Sequence, residues 1–360
     1  MAQRELSARR VVGFACNQAF AFFLFYMGLN GTLDTGGSTF ERADLLIALG
    51  FMVAGFAALR LLPTNARDAL FARPLLYVYA VVMAAGALTS FIAIPDLSSS
   101  ATMVLRGALS GFPCALLLTA WGRTFGRTPT ETSVPEVFVG SLVAALFCLA
   151  FSFVNGESPA LLVMCLLPLG SVVNIEVPEP GEAKPQRASA DDETGDEQRL
   201  SSKVLFGTLF FGISAGIALT LATEPGGLAV PYYPVSMILF GAFTIGALSL
   251  LLSDGFGRGA ALNKSYRLAV YIMMIGVLVA PWPALKGSLL PGEAIVLAGY
   301  LGLEAVLVSL FLVLAEIEGE DTALSFSAGF LSLFAGQALG IIASNVISSS
   351  APYAVAGVAG

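Results

Sequence analysis

Apolar runs of about 20 residues, cut by short polar breaks, recur along almost the whole chain. A helix needs about 20 apolar residues to cross ~30 Å of hydrocarbon. On that ruler the first half holds six candidate spans, at 11–29, 44–62, 74–94, 101–121, 135–154 and 158–174. A polar stretch follows from Glu176 to Ser202, with Pro178, Pro180, Pro185 and the acidic run Asp191-Asp192-Glu193. It has too little apolar surface to fold alone and reads as a flexible linker. The pattern resumes at 203–222, 232–252, 267–284, 293–315 and 324–348. The separators carry turn formers, as at Gly226-Gly227, Pro231, Gly257 and Ser348-Ser349-Ser350. A last apolar piece runs from Ala351 to Gly360, enough for about 15 Å of helix, or half a crossing. We expect an incomplete twelfth span there; the alternative is a short tail after an eleventh.

The pattern thus predicts an all-α, polytopic membrane protein. It has an N-terminal six-helix half (1–175), an acidic linker (176–202) and a C-terminal half (203–360). Six spans, a polar linker and six more is the layout of the major facilitator fold. No clear sequence repeat relates the halves, so the architecture rests on hydropathy alone.

Charge fixes an expected orientation. With the N-terminus inside, the inner loops hold Arg4, Arg9, Arg10, Arg60, Arg67, Arg73, Arg123, Arg127, Lys184, Arg187, Arg199, Lys203, Arg258, Lys264 and Arg267. The outer loops hold only Arg42 and Lys286, and Arg106 falls inside a span. Such asymmetry places the N-terminus and the linker in the cytoplasm and the chain in the inner membrane. One inner loop breaks the pattern with Glu316, Glu318, Glu320 and Asp321, but acidic residues contribute little to topology. Arg9-Arg10 resembles a twin-arginine export signal; the long apolar run and the lack of an A-x-A site make it an anchor for the first helix.

Composition agrees. The 360 residues are 56% hydrophobic and 12% charged, with a mean hydropathy of +0.82. A soluble domain carries roughly twice that charged fraction, so lipid is the expected solvent and partner. The net charge of −7 comes mostly from the linker and the Glu316–Asp321 run, and no basic cluster would grip nucleic acid. Histidine is absent, which removes the commonest metal ligand and general base. Cys16, Cys114, Cys148 and Cys165 all lie in apolar stretches without a C-x-x-C pair, and read as small core residues. No Ser/His/Asp set, P-loop or dinucleotide fingerprint is present. No enzyme activity and no cofactor is expected.

A few polar residues interrupt the spans. Arg106 sits within the fourth, where a charge is costly unless it faces a cavity or a partner. Glu304 in the tenth is its natural complement, one charge in each half. The two either line a ligand site between the halves or form a structural pair. Asn17 and Gln18 in the first span and Gln337 in the eleventh either bridge helices or contact the ligand. Gly212-x-x-x-Gly216 and Gly336-x-x-x-Gly340 read as packing seams within the bundle. Between spans two and three, a facilitator transporter usually carries G-x-x-x-D-R-x-G-R-R. Here that loop reads Leu61-Leu62-Pro63-Thr64-Asn65-Ala66-Arg67-Asp68, and only a short fragment, Ser253-Asp254-Gly255-Phe256-Gly257-Arg258, lies between spans eight and nine.

Several stretches carry a further resemblance. They are Leu117-Leu118-Thr119-Ala120-Trp121-Gly122-Arg123, Leu166-Leu167-Pro168-Leu169-Gly170-Ser171, Phe206-Gly207-Thr208-Leu209-Phe210-Phe211-Gly212-Ile213-Ser214-Ala215-Gly216, Tyr266-Arg267-Leu268-Ala269, Ala298-Gly299-Tyr300 and Leu314-Ala315-Glu316-Ile317. Together they resemble the membrane portion of actinobacterial LuxR-type regulators, in which a twelve-helix facilitator-like domain precedes a helix-turn-helix domain. The resemblance implies the sensor domain of a one-component transcriptional regulator, binding an unknown small molecule between the halves. DNA would be contacted only through a domain not present in this chain. The alternative reading is a secondary transporter of a small solute, and a third is a truncated gene product.

Overall fold

The computed structural model describes residues 6–27, 30–34, 39–89, 91, 97–154, 157–177, 194–221, 223, 230, 232–253, 258–280, 291–319 and 321–350. The acidic run of the linker, Lys286 and the expected half-span from Ala351 lie outside the described residues. Among those described, the first half is built of α1 (Ala8–Tyr26), α2 (Ala43–Leu61), the short α3 (Thr64–Leu70), α4 (Arg73–Leu88), α5 (Ser99–Phe125), α6 (Thr130–Phe151) and α7 (Glu157–Val173). The second half holds α8 (Thr194–Leu221), α9 (Tyr233–Leu252), α10 (Arg258–Val279), α11 (Gly292–Glu318) and α12 (Thr322–Ser350). A two-stranded antiparallel ribbon, β1 (Leu33–Asp34) and β2 (Thr39–Phe40), closes the turn between α1 and α2.

Local chemistry sets the helix starts. Ser7 caps α1 by accepting from the Arg10 N–H, and Ser98 caps α5 by accepting from the Ala101 N–H. Proline sits in the first turn of α4 and of α9, where its missing N–H costs nothing. Helix α8 begins at Thr194, inside the stretch that sequence assigns to the linker, so its first two turns are polar.

Among the described residues eight helices are long and apolar enough to cross a membrane, or nine if α3 and α4, bent by 58°, count as one broken span. Two expected spans fall below that standard for local reasons. Arg9, Arg10, Asn17 and Gln18 dilute α1, and α7 offers only a short apolar stretch, Pro159–Val173. Both nevertheless pack as full members of the first half, α1 against α6 and α7, and α7 against α4. Large apolar side chains point outward along the bundle, among them Leu146, Phe210, Ile245, Met274 and Leu278, as lipid requires.

The halves meet along two seams, α2 on α12 and α6 on α9, while α11 crosses from its own half to touch α5 and α6. The two GxxxG pairs form a seam inside the second half. A Cβ placed on Gly212, Gly216, Gly336 or Gly340 would come 2.2 Å from a carbonyl oxygen of the opposite helix, α12 or α8. The basic loops cluster at one end of the bundle, called here the basic end; the β-ribbon marks the far end.

Candidate functional site

Helix α11 is apolar on nearly every face and almost wholly enclosed, and its polar residues stand out against that background. Tyr300 and Glu304 are four residues apart, so they share one face. The Tyr300 hydroxyl donates to Gln337 Oε1 at 2.8 Å, and the Gln337 amide donates to the Tyr26 hydroxyl at 3.5 Å. The Tyr26 and Tyr300 rings meet edge to face with centroids 6.3 Å apart. One buried hydrogen-bonded chain thus joins α1 of the first half to α11 and α12 of the second. Counting along each helix, Tyr26 and Tyr300 both lie about 27 Å from the basic end, and Gln337 and Glu304 about 22 Å.

Glu304 is buried, with 8% of its surface exposed. It lies near the midpoint of α11, within electrostatic reach of Tyr26, Tyr300 and the Cys114 thiol of α5. Among the described residues no side chain hydrogen-bonds or ion-pairs with its carboxyl, and no arginine or lysine acts on it. A carboxyl left alone at that depth is expensive, which is why such groups mark ligand or ion sites.

The expected pairing of Arg106 with Glu304 is not made. Arg106 lies in the second turn of α5, near the far end, and its Nη2 stands 3.4 Å from Asp44 Oδ2. Gly107 and Gly111 are the reason. A Cβ on either would strike Ile47 or Ala48, so α2 presses against α5 and sets Asp44, one turn before Ala48, beside Arg106. The pair is partly exposed, with 26% and 15% of the two side chains accessible.

A second cation near the site is invisible to hydropathy. Arg42 reads as a loop residue, yet it is fully buried at the start of α2 with φ 57°. Its Nη2 donates to the Phe25 carbonyl at 2.6 Å and its N–H to Asn30 Oδ1 at 2.9 Å. Its electrostatic partners are Asp44 and Tyr26. Arg42 and Arg106 are therefore both engaged with Asp44 at the far end.

Gln18 shares a face of α1 with Phe14 and Phe22. Phe14 packs on Trp121 and Phe125 of α5, and Phe22 on Phe240 of α9, so this face looks into the bundle. Among the described residues the Asn17 and Gln18 side-chain carbonyl oxygens are buried without a hydrogen-bond partner, as is the Tyr233 hydroxyl. Of the five residues proposed from sequence, Glu304 and Gln337 come together around the Tyr26–Tyr300 pair. Gln18 and Asn17 lie nearer the basic end on α1, and Arg106 lies apart. The sequence pattern does not single out Tyr26, Tyr300 or Arg42 as site residues. Tyrosine in a span is ordinary, although Tyr300 and Glu304 at helical spacing is a usable signal.

Both ends of the α2–α12 seam are fastened. Toward the basic end, Arg67 pairs with Asp321 at 3.1 Å, and Arg60 donates to the Leu324 carbonyl at 3.3 Å. Behind them Phe56 stacks on Phe330 and Phe334, and Phe326 and Phe311 extend the aromatic cluster. At the far end the Asn345 side chain brackets Glu41, accepting from its N–H at 2.7 Å and donating to its carbonyl at 3.1 Å.

No protein-family model and no curated protein matches the chain. Solved structures do. The fucose:proton symporter FucP of E. coli, as a single-site variant, superposes with a TM-score of 0.53 at 12% identity, over 98% of this chain and 93% of that one. FucP in the outward conformation, described as a Major Facilitator Superfamily transporter, gives 0.55 at 11% identity over the same shares. The human organic anion transporter MFSD10 (TETRAN) gives 0.50 at 14% identity, over 88% of this chain and 79% of that one. The fold is that of a major-facilitator-like membrane bundle.

Proposed function

We propose that this chain is a secondary transporter that carries a small solute through a site between its halves. Glu304 carries the proposal: a carboxyl in mid-bundle with no partner among the described residues, beside a Tyr26–Gln337–Tyr300 chain that ties one half to the other. Rocking one half against the other must remake those bonds, so a solute bound there feels the motion directly. A single buried carboxyl can also hold either a proton or the solute, which makes it a natural point for exchanging one for the other. The proposed orientation sets the basic end in the cytoplasm of a cell with the chain in its inner membrane.

The regulator-sensor reading rests on the short sequence resemblances and on the altered loop around Arg67. The likeness of fold favours transport, although a fold alone is a weak warrant for activity. A DNA partner has no support from the comparisons.

The test is uptake into liposomes reconstituted with the protein, using a panel of sugars, organic anions and amines with and without a pH gradient. We expect at least one solute to accumulate above empty liposomes, and Glu304→Gln to abolish that accumulation. A panel member that binds the purified protein but never crosses would reject transport in favour of sensing.

A further inference from the structure

We infer that the solute of the central site is a protonated amine, bound by Glu304 and the faces of Tyr26 and Tyr300. The inference rests on the transporter reading and adds the class of solute. Three observations carry it.

The first is the placement of charge. At the far end both arginines, Arg42 and Arg106, are already engaged. Arg106 sits on Asp44, and Arg42 acts on Asp44 and Tyr26. At the basic end Arg10 holds Glu136 in a two-point contact of 2.7 and 2.8 Å, and Arg67 and Arg123 hold Asp321 and Asp68. Glu304 is the acid in mid-bundle that none of these cations reaches. A bound cation would supply the missing charge, and an anion would meet a carboxyl with nothing to offset it.

The second is the direction of the unmet hydrogen bonds. The Glu304 carboxylate is an acceptor without a donor among the described residues, and the Gln18 carbonyl oxygen, nearer the basic end, is another along the same interior. An ammonium group brings three donors and no acceptor. The third is the aromatic wall. Tyr26 and Tyr300 both stand about one turn beyond Glu304, on the two sides of the interface between the halves. Aromatic faces attract organic cations, and the attraction grows when the site is dry. Among the described residues no group of three or more metal-ligating side chains competes for this role.

The experiment uses the full chain purified in detergent and three nearly isosteric probes: 2-phenylethylammonium, 2-phenylethanol and phenylacetate. Methylammonium and tetraethylammonium extend the cation series. Binding is read as protection against thermal unfolding and as a Kd by calorimetry. We expect the ammonium probe to bind at least tenfold more tightly than the alcohol, and phenylacetate not to bind. Glu304→Gln should erase that preference, Glu304→Asp should retain part of it, and Tyr300→Phe should weaken cation binding less than Glu304→Gln does. The comparison among probes on the parent chain stands even if a variant fails to fold. Equal binding of the ammonium and the alcohol would overturn the inference, as would tighter binding of phenylacetate or no cation bound better than the alcohol. Protection reproduced by sodium chloride but not by potassium chloride would also overturn it, assigning the carboxylate to an inorganic ion. Liposome uptake of a neutral solute would sink the amine and leave the transporter standing; cation binding without uptake would do the reverse.

Discussion

The α8–α12 seam allows a prediction with a calculable size. Gly340 faces the Ile213 carbonyl, and an added Cβ would sit 2.2 Å from that oxygen, where ordinary contact begins at 3.4 Å. The clash is with backbone, so no rotamer change relieves it. Gly340→Ala therefore forces the two helices apart by about 1 Å, and overpacking of this kind costs about 1–3 kcal/mol. The displaced turn also carries Gln337, three residues earlier. Moving it by about 1 Å strains the 2.8 Å bond from Tyr300, and a buried bond lost with its partners left unpaired costs about 1–3 kcal/mol more. We expect a loss of about 2–6 kcal/mol, read as a fall on the order of 5 °C in the midpoint of thermal unfolding in detergent. Gly246 on α9 is the control, because a Cβ there meets nothing within 4 Å. Gly246→Ala should leave the midpoint unchanged or raise it, since alanine favours helix by about 1 kcal/mol. Gly340→Ala as stable as the parent protein would show that the helices do not touch backbone to backbone and that Gln337 is not held by this seam.

Three further outcomes concern the fastenings of the α2–α12 seam. Reversing the basic-end pair singly, as Arg67→Asp, should put two acids together and expose that end to cysteine-reactive labels; the double exchange Arg67→Asp with Asp321→Arg should restore protection, and labelling unchanged by the single variant would rule out a clasp there. Asn345→Ala removes two bonds to the Glu41 backbone and should raise labelling at the far end only, with a stability loss of about 1–2 kcal/mol; equal labelling at both ends would contradict it. Burial pushes the Glu41 carboxyl above its usual value of 4.5, so its contribution to stability is complete below that value and is lost as pH rises through the raised one. The Asn30 amide donates to the Glu41 carboxyl; Glu41→Gln, which keeps that acceptor, should flatten that part of the pH–midpoint curve, and an unchanged curve would locate the titration elsewhere.

Much of the bundle was legible because lipid imposes one simple rule. The apolar runs at 44–62, 135–154, 232–252 and 293–315 fall within a few residues of α2, α6, α9 and α11. Boundaries slipped where a helix continues into polar residues. Helix α10 starts at Arg258 rather than 267, and α8 at Thr194 rather than 203, because a helix leaving the bilayer needs no apolar face. The site was half legible. Glu304 and Gln337 stood out as polar residues in apolar runs. Their partners did not, because hydropathy treats Tyr26 and Tyr300 as ordinary span residues and Arg42 as a loop. The expected Arg106–Glu304 pair failed for a reason no charge count contains: Gly107 and Gly111 bring α2 close enough to deliver Asp44 instead. Of the acidic loop that broke the charge pattern, Asp321 has a structural role, since it meets Arg67 of the opposite half.

The enclosure of α11 bears on biogenesis and on drift. No other candidate span exceeds its mean hydropathy of 2.2, yet 89% of its apolar window is covered by protein, against 28% for α10. The translocon therefore meets α11 as an ordinary lipid-soluble segment, and the finished protein then withdraws it from lipid altogether. Between those two moments its Glu304 has neither water nor neighbours. The shelter of α11 is complete only when α10, α9, α12, α6, α8 and α5 have gathered around it. The same enclosure fixes how each helix can change over generations. Substitutions on α10 need only stay greasy away from the Ala269–Met273–Gly276 face that packs on α11, whereas nearly every position of α11 must also fit the shape of a neighbour, so the two helices should accumulate differences at different rates.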